Sequence, residues 1–353
     1  MAADSAVYLD RLSQIRALLK SEQLEAVLLF SRRNDFHFSR WLAGVGCGSA
    51  FHYLIITPQE NFFLEVSYRA EDLRDKTFWE VREFPEENQA ADSLRTILGA
   101  LRRIGVAGSL PYLQVAGLAA DFVDLSTKIE KLMVIKESAE LAEFRSLAAD
   151  LKEAFQAFSG LIRTGCTEQE LNAKLRLLLL SKGESLAFPT SILSGQRLLR
   201  STCGCPTTSR LEPGHAVLVD GGIERGGLYS DMTRMYFLGA SPLFEPYQEL
   251  CSSHRRVVET LRAGISMAEV VDLYRCQLKA SGLPEGTFEF QDLGHGIGFS
   301  PHEPPFVGQP AFDNYRLEAG SLLCLEPEIA LSIGRIRVED MVLLHDHYAE
   351  IIT

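Results

Sequence analysis

Four carboxylates placed at the ends of apolar runs constrain this chain more than any other feature. Leu218-Val219-Asp220-Gly221-Gly222 closes an apolar run on an acid and two glycines, and Ser230-Asp231-Met232-Thr233-Arg234 brings a second acid eleven residues later. Leu325-Glu326-Pro327 and Arg337-Val338-Glu339-Asp340 set two more beside the strand-like stretches 322–325 and 336–338. Strands of such residues are buried, and a carboxylate buried with them needs a partner or gives up its charge. Gly226-Gly227 allows a turn between the first two acids, so a hairpin can face both inward. Taken alone, that pair reads equally well as two unrelated surface acids, because Asp is common near turns. Gly294-His295-Gly296-Ile297-Gly298 adds an imidazole to the set. Two divalent cations would cancel the four negative charges, with His295 as a neutral nitrogen ligand. An oxygen-rich set with one imidazole suits Mn, Fe, Co or Zn.

The rest of the chain says what surrounds these acids. At 353 residues it exceeds what one hydrophobic core usually organises, so two domains are expected. With 35 basic against 47 acidic side chains the net charge is −12, which repels nucleic acid and anionic lipid and points to a small or neutral partner. Seven cysteines, an odd number spread over a long chain, suit a reducing compartment and free thiols. Met1-Ala2-Ala3-Asp4-Ser5 lacks the basic-then-apolar pattern of a secretory leader, and no leucine run approaches a membrane span. The expectation is a cytoplasmic protein without a membrane anchor.

Alternating helical and strand periods open the chain. Leu9, Leu12, Ile15, Leu18 and Leu19 recur at helical intervals, and residues 25–30 then read as a buried strand. Further strands are expected at 51–56, 62–66 and 79–84, with helices at 68–73 and 90–103, and His37 and His52 are read as ordinary packed or surface histidines. A strand-like segment at 131–136 precedes a breaker-poor stretch, 138–160, that predicts a long helix. The domain boundary is placed there, giving 1–134 and 135–353. Beyond it Arg163-Thr-Gly-Cys-Thr-Glu-Gln-Glu170 echoes Arg262-Ala-Gly-Ile-Ser-Met-Ala-Glu269. In each copy glycine can end one helix, while Thr167 with Glu170, or Ser266 with Glu269, makes a capping box that starts the next. The echo predicts a pseudo-twofold domain.

With these motifs in order, the chain resembles the creatinase/prolidase/aminopeptidase P group of dinuclear metallopeptidases, the M24 family. The resemblance spans the whole sequence and implies an α/β (α+β) protein: a creatinase-like N-terminal α/β domain followed by a pseudo-twofold pita-bread catalytic domain. It implies the ordered ligand set Asp220, Asp231, His295, Glu326 and Glu339. Asp220 would serve one metal, Asp231 and Glu339 would bridge, and His295 with Glu326 would hold the other. Mn is the first metal expected, with Co, Zn or Fe as alternatives. The resemblance also implies hydrolysis by a hydroxide shared between the metals, a small peptide or small amide substrate, and a homodimer. Glu326 would pass the proton from water to the leaving amine, and His302 in Pro301-His302-Glu303-Pro304 would hydrogen-bond the developing oxyanion. Arg337 resembles the arginine that positions the carboxylate ligands.

Two departures bear on substrate. Where relatives acting on Xaa-Pro bonds carry a histidine before glycine, seventeen residues before the first aspartate, this chain has Cys203-Gly204. Cys203 is thus the third candidate catalytic residue, a poorer hydrogen-bond donor than histidine. Cys203 and Cys205 read as free thiols, with pairing or metal binding as the weaker alternative, and His215 reads as a turn residue. Glu326-Pro327-Glu328-Ile329-Ala330 replaces the family's usual glycine and tyrosine with Glu328, an added charge near the site, and Ala330. An Xaa-Pro aminopeptidase or dipeptidase is the leading reading. A homologue acting on a different small amide, a non-catalytic binding protein on the same fold and a metal-free amidinohydrolase are the alternatives. A nucleotide site fails for want of the lysine or ribose-binding acid that should accompany the glycines.

Overall fold

Residues 2–32, 38–45, 51–283 and 288–353 are described in the computed structural model, and His37 lies outside them. Two compact units divide the chain, one of residues 1–133 with 226–228 and one of 134–225 with 229–353. The first runs α1 (Ala2–Ser21), β1 (Ala26–Arg32), α2 (Phe38–Ala43), β2 (Phe51–Ile56), β3 (Asn61–Val66), α3 (Ser67–Arg74), β4 (Glu80–Phe84), α4 (Ala90–Leu98), β5 (Arg103–Ala107), α5 (Tyr112–Val115), β6 (Asp121–Asp124) and α6 (Ser126–Met133). Its mixed sheet has the order β4-β3-β2-β1-β5-β6. β1 lies in the middle with Val27, Leu28 and Leu29 fully buried, which is why it reads as a continuous apolar run rather than an alternating one. His52 is a packed histidine, its ring edge-on to Phe63 and Nδ1 3.4 Å from Glu65.

Two expectations from the sequence differ from the structure. The helix expected over 90–103 stops at Leu98, and Arg103 instead opens β5. That strand is obscured in sequence by Gly105, which fits because a side chain there would meet Leu24 and Leu125. The first half of the strand-like segment 131–136 is helix: Ile129 and Met133, four residues apart, both face the core from α6, and an isolated bridge from Ile135 to Ser321 follows.

After α6 the chain continues with α7 (Ser138–Ser159), α8 (Glu168–Leu180), β7 (Ser185–Leu186), β8 (Ser191–Ser194), β9 (Ala216–Gly221), β10 (Ile223–Arg225), β11 (Leu228–Tyr229), β12 (Met232–Phe237), α9 (Phe244–Val258) and α10 (Met267–Ser281). It ends with β13 (Gly294–Gly296), β14 (Glu303–Val307), β15 (Leu322–Leu325), β16 (Glu328–Leu331), β17 (Gly334–Arg337), β18 (Asp340–Leu344) and β19 (Ala349–Ile351). Two antiparallel sheets carry its chemistry, β12-β9-β8 and β14-β13-β15-β18-β19.

The echoed motifs fold alike. Both capping boxes form, with Glu170 and Glu269 reaching back to the N–H groups of Thr167 and Ser266 at 2.8 and 2.7 Å. Gly165 and Gly264 do not end helices as expected. α7 stops at Ser159 and α9 at Val258, and the two glycines lie in the turns beyond, at φ +89° and +90°. There Gly165 N–H donates to Leu211 O and Gly264 N–H to Leu317 O, at 2.8 and 2.7 Å, while Arg210 and Arg316 each donate to the glycine carbonyl at 2.6 Å. The repeat therefore extends into Arg210-Leu211-Glu212-Pro213-Gly214 and Arg316-Leu317-Glu318-Ala319-Gly320. Each leads into a strand, β9 or β15, and Asp220 and Glu326 both lie ten residues after their arginine.

Candidate metal centre

Strand pairing assembles the acids. β9 and β12 pair so that Thr233 lies opposite Asp220, and an isolated bridge joins Thr233 to Glu339 just before β18. On the other sheet His295 in β13 lies opposite Cys324 in β15, and Glu326 follows that strand directly. Asp220, Asp231, His295 and Glu339 are buried, and the Glu326 side chain is 13% exposed.

Arg337 spans the cluster. Its Nη2 donates to Asp220 Oδ2 at 2.7 Å and to Thr233 Oγ1 at 3.1 Å, and its Nη1 donates to Glu326 Oε2 at 3.2 Å. Thr233 Oγ1 in turn donates to Glu339 Oε2 at 2.7 Å. The Nδ1 of His295 lies 3.0 Å from the Gly296 carbonyl, an acceptor, so Nδ1 carries the proton and the Nε2 lone pair is free. That Nε2 lies 3.6 Å from Glu326 Oε1 and 3.9 Å from Glu339 Oε1. Asp220 Oδ1, Asp231 Oδ1 and His295 Nε2 are all buried without a hydrogen-bond partner.

One guanidinium cannot neutralise four buried carboxylates. Burial first, and the neighbouring Glu339 charge, push the Asp220 carboxyl up to about 6 against the pull of Arg337. Burial and mutual repulsion raise Asp231 and Glu326 well above the carboxylate range, and burial raises Glu339. His295 is held down to about 4 by burial and stays neutral. Orphaned acceptors, crowded acids and a neutral imidazole are what a divalent-cation site requires, and the donor set present fits one.

The centre opens into a cavity of about 470 Å³ whose wall includes Phe188, Cys203, Asp292 and His302. The His302 ring packs 4.2 Å from that of His295 and 6.2 Å from that of Phe188, and burial lowers its pKa to about 4. Cys203 is an exposed free thiol 3.7 Å from Ser191 Oγ, and Cys205 is likewise free. His215 follows the turn at 213–214 and accepts from the Glu212 N–H at 3.2 Å. Glu328 lies opposite Arg337 in the β16–β17 pair, and its charge acts on that guanidinium as expected of a charge near the site. Arg335 donates to Glu328 at 2.7 Å and Thr202 hydrogen-bonds its other oxygen, so it anchors the segment that carries Cys203.

Three residues escaped the sequence reading. Thr233 was visible only as part of the Asp231 motif, although its register opposite Asp220 follows from the hairpin. Cys324 was counted as one more apolar residue of its strand, yet period-two alternation puts it on the face of Glu326. Asp292 carried no signal, because an exposed acid in a loop is ordinary.

Residues 142–346 match metallopeptidase family M24, and residues 11–135 match the creatinase/prolidase N-terminal domain. The chain belongs to metallopeptidase family M24 and is a hydrolase of that family. It is 26% identical to an Xaa-Pro dipeptidase of Pyrococcus furiosus over 353 residues, covering 98% of this chain and 97% of the other. It superposes on the prolidase from Pyrococcus horikoshii OT3 with a TM-score of 0.88 at 25% identity, covering 98% of each chain. The X-Pro aminopeptidase from Thermotoga maritima MSB8 shares the fold, with a TM-score of 0.82 at 22% identity over 97% of each chain.

Proposed function

We propose that this chain is a dinuclear-metal peptidase hydrolysing the Xaa-Pro bond of small peptides, as a dipeptidase or aminopeptidase, with Asp220, Asp231, His295, Glu326 and Glu339 as its metal ligands. The observation that carries the reading is the set of buried, unpartnered atoms Asp220 Oδ1, Asp231 Oδ1 and His295 Nε2 within one acidic cluster. Bound divalent ions would supply Lewis acidity at the scissile carbonyl and a nucleophile at neutral pH. Arg337 and Thr233 hold Asp220, Glu326 and Glu339 by one oxygen each, leaving the other free to coordinate. Glu326, the most accessible of the four acids, takes a proton at its carboxylate and delivers it to the leaving amine. His302, above His295 on the cavity wall, donates a hydrogen bond to the developing oxyanion.

The Xaa-Pro assignment rests on the relatives. A second reading, hydrolysis of a different small amide by the same centre, draws on Cys203 standing in the cavity wall, at the position where the family resemblance implies a histidine in enzymes acting on Xaa-Pro bonds. No helix among the described residues is long and apolar enough to cross a membrane, and the six described cysteines are free thiols, which supports a cytoplasmic enzyme. A homodimer is proposed from the family resemblance. Hydrolysis of paired Xaa-Pro and Xaa-Ala dipeptides by metal-loaded protein is the test. Faster cleavage of Xaa-Pro supports the proposal; metal-dependent cleavage confined to the other amides moves it to the second reading.

A further inference from the structure

Cys324 sits on the floor of the acidic cluster, not in the core beside it. Its strand neighbours Leu323 and Leu325 belong to the hydrophobic core of the second unit, and alternation along β15 turns Cys324 to the opposite face, with Glu326. It is fully buried and lies directly across the sheet from His295. One ligand atom from each of Asp231, His295, Cys324 and Glu339 falls within 4.8 Å of all the others, close enough for a single ion between them. Two of these partners aim orphaned atoms, Asp231 Oδ1 and His295 Nε2, from fully enclosed positions. A packed thiol in an apolar core would have no such company.

We propose that the Cys324 thiolate is a ligand of the metal held by His295, making that half of the centre a mixed nitrogen, oxygen and sulfur site. The inference rests on the dinuclear reading above and adds to it a metal preference. Binding releases the thiol proton to solvent and forms a metal–sulfur bond, with no oxidation or reduction. Thiolate is a soft donor that favours Zn, Co and Fe over Mn, whereas an all-oxygen set with one imidazole discriminates less. The half of the centre that carries Cys324 is therefore selective for a thiophilic ion, while the Asp220 half keeps an oxygen-rich set.

Co(II) alone is the probe. Chelated wild-type protein is titrated with Co(II) and followed by absorption spectroscopy, with bound cobalt counted by elemental analysis. The expected result is a sulfur-to-cobalt charge-transfer band in the near ultraviolet that persists in Cys203→Ser and Cys205→Ser, the two other thiols lining the cavity, and disappears in Cys324→Ser while cobalt stays bound. Competition dialysis should also show the Zn-over-Mn preference falling roughly tenfold or more in Cys324→Ser. Two cobalt ions per wild-type chain without the band overturn Cys324 ligation and leave the metal centre standing. Failure to bind cobalt at all overturns the centre, and this inference with it. The wild-type spectrum decides the matter even where Cys324→Ser does not fold.

Discussion

Asp231 is the least compensated of the four acids: Arg337 donates to Asp220 and Glu326, Thr233 donates to Glu339, and one Asp231 oxygen is buried without a partner. As a bridging ligand it would serve both ions, so Asp231→Ala should lose both metals and at least a thousandfold in kcat, within the range that loss of a catalytic metal implies. Elemental analysis and peptide hydrolysis check this, and a variant with wild-type activity would sink the assignment. Cys203→His is the complementary gain-of-function change. It should raise kcat/KM on Xaa-Pro dipeptides by roughly tenfold or more if a missing hydrogen-bond donor limits turnover; no gain there favours a different amide substrate. At this scale the positions of the acids were legible because each ends or flanks an apolar run. The alternation that sets Cys324 beside Glu326 was equally legible in principle, but a cysteine inside a leucine run looks like one more apolar residue. The Thr202–Glu328 contact was not legible, since it joins segments more than a hundred residues apart in the chain.

Among the elements, α8 holds the cavity wall as well as the core. Glu168 begins that helix fully buried and accepts from Ser194 N–H at 2.8 Å, Thr207 N–H at 2.9 Å, and the Ser194 and Thr207 hydroxyls at 3.0 and 2.8 Å. It also pairs with Arg197, whose other nitrogen donates to the Cys205 carbonyl at 2.9 Å. The segment bearing Cys203 is thus tied to a helix N-terminus, where a carboxylate is favoured. Glu168→Ala should cost about 3–5 kcal/mol by stranding these donors and the arginine. It should raise KM more than it lowers metal content, as read by denaturation, kinetics and elemental analysis; an unchanged KM would contradict the positioning role. Both helix hairpins were readable from their capping boxes, which are local signals. β5 and β6 were not, because their short, polar or glycine-bearing sequences become strands only by pairing beside β1.

For the molecule as a whole, the fold class was legible because order and spacing of motifs survive where individual neighbours do not. Charge at the centre then couples metal to stability. In metal-free protein Asp220 titrates near 6 rather than 3.8, so its contribution to folding is full below about 3.8 and is lost as pH rises through 6. His295 acts oppositely: held near 4, its contribution is full above about 6.5 and is lost as pH falls. At pH 5.5 the folded, metal-free protein still keeps most of the proton on Asp220, whereas His295 is neutral at both 5.5 and 7.5. Chelation should therefore lower Tm more at pH 7.5 than at pH 5.5, measured by thermal unfolding with and without chelator; an equal or larger drop at 5.5 would contradict the uncompensated charge. The proposed dinuclear centre fixes how many ions activity requires. It is tested most directly by adding metal back to chelated protein in counted equivalents while following hydrolysis of an Xaa-Pro dipeptide. Activity should rise to a plateau near two equivalents per chain, and full activity without metal would overturn the dinuclear centre.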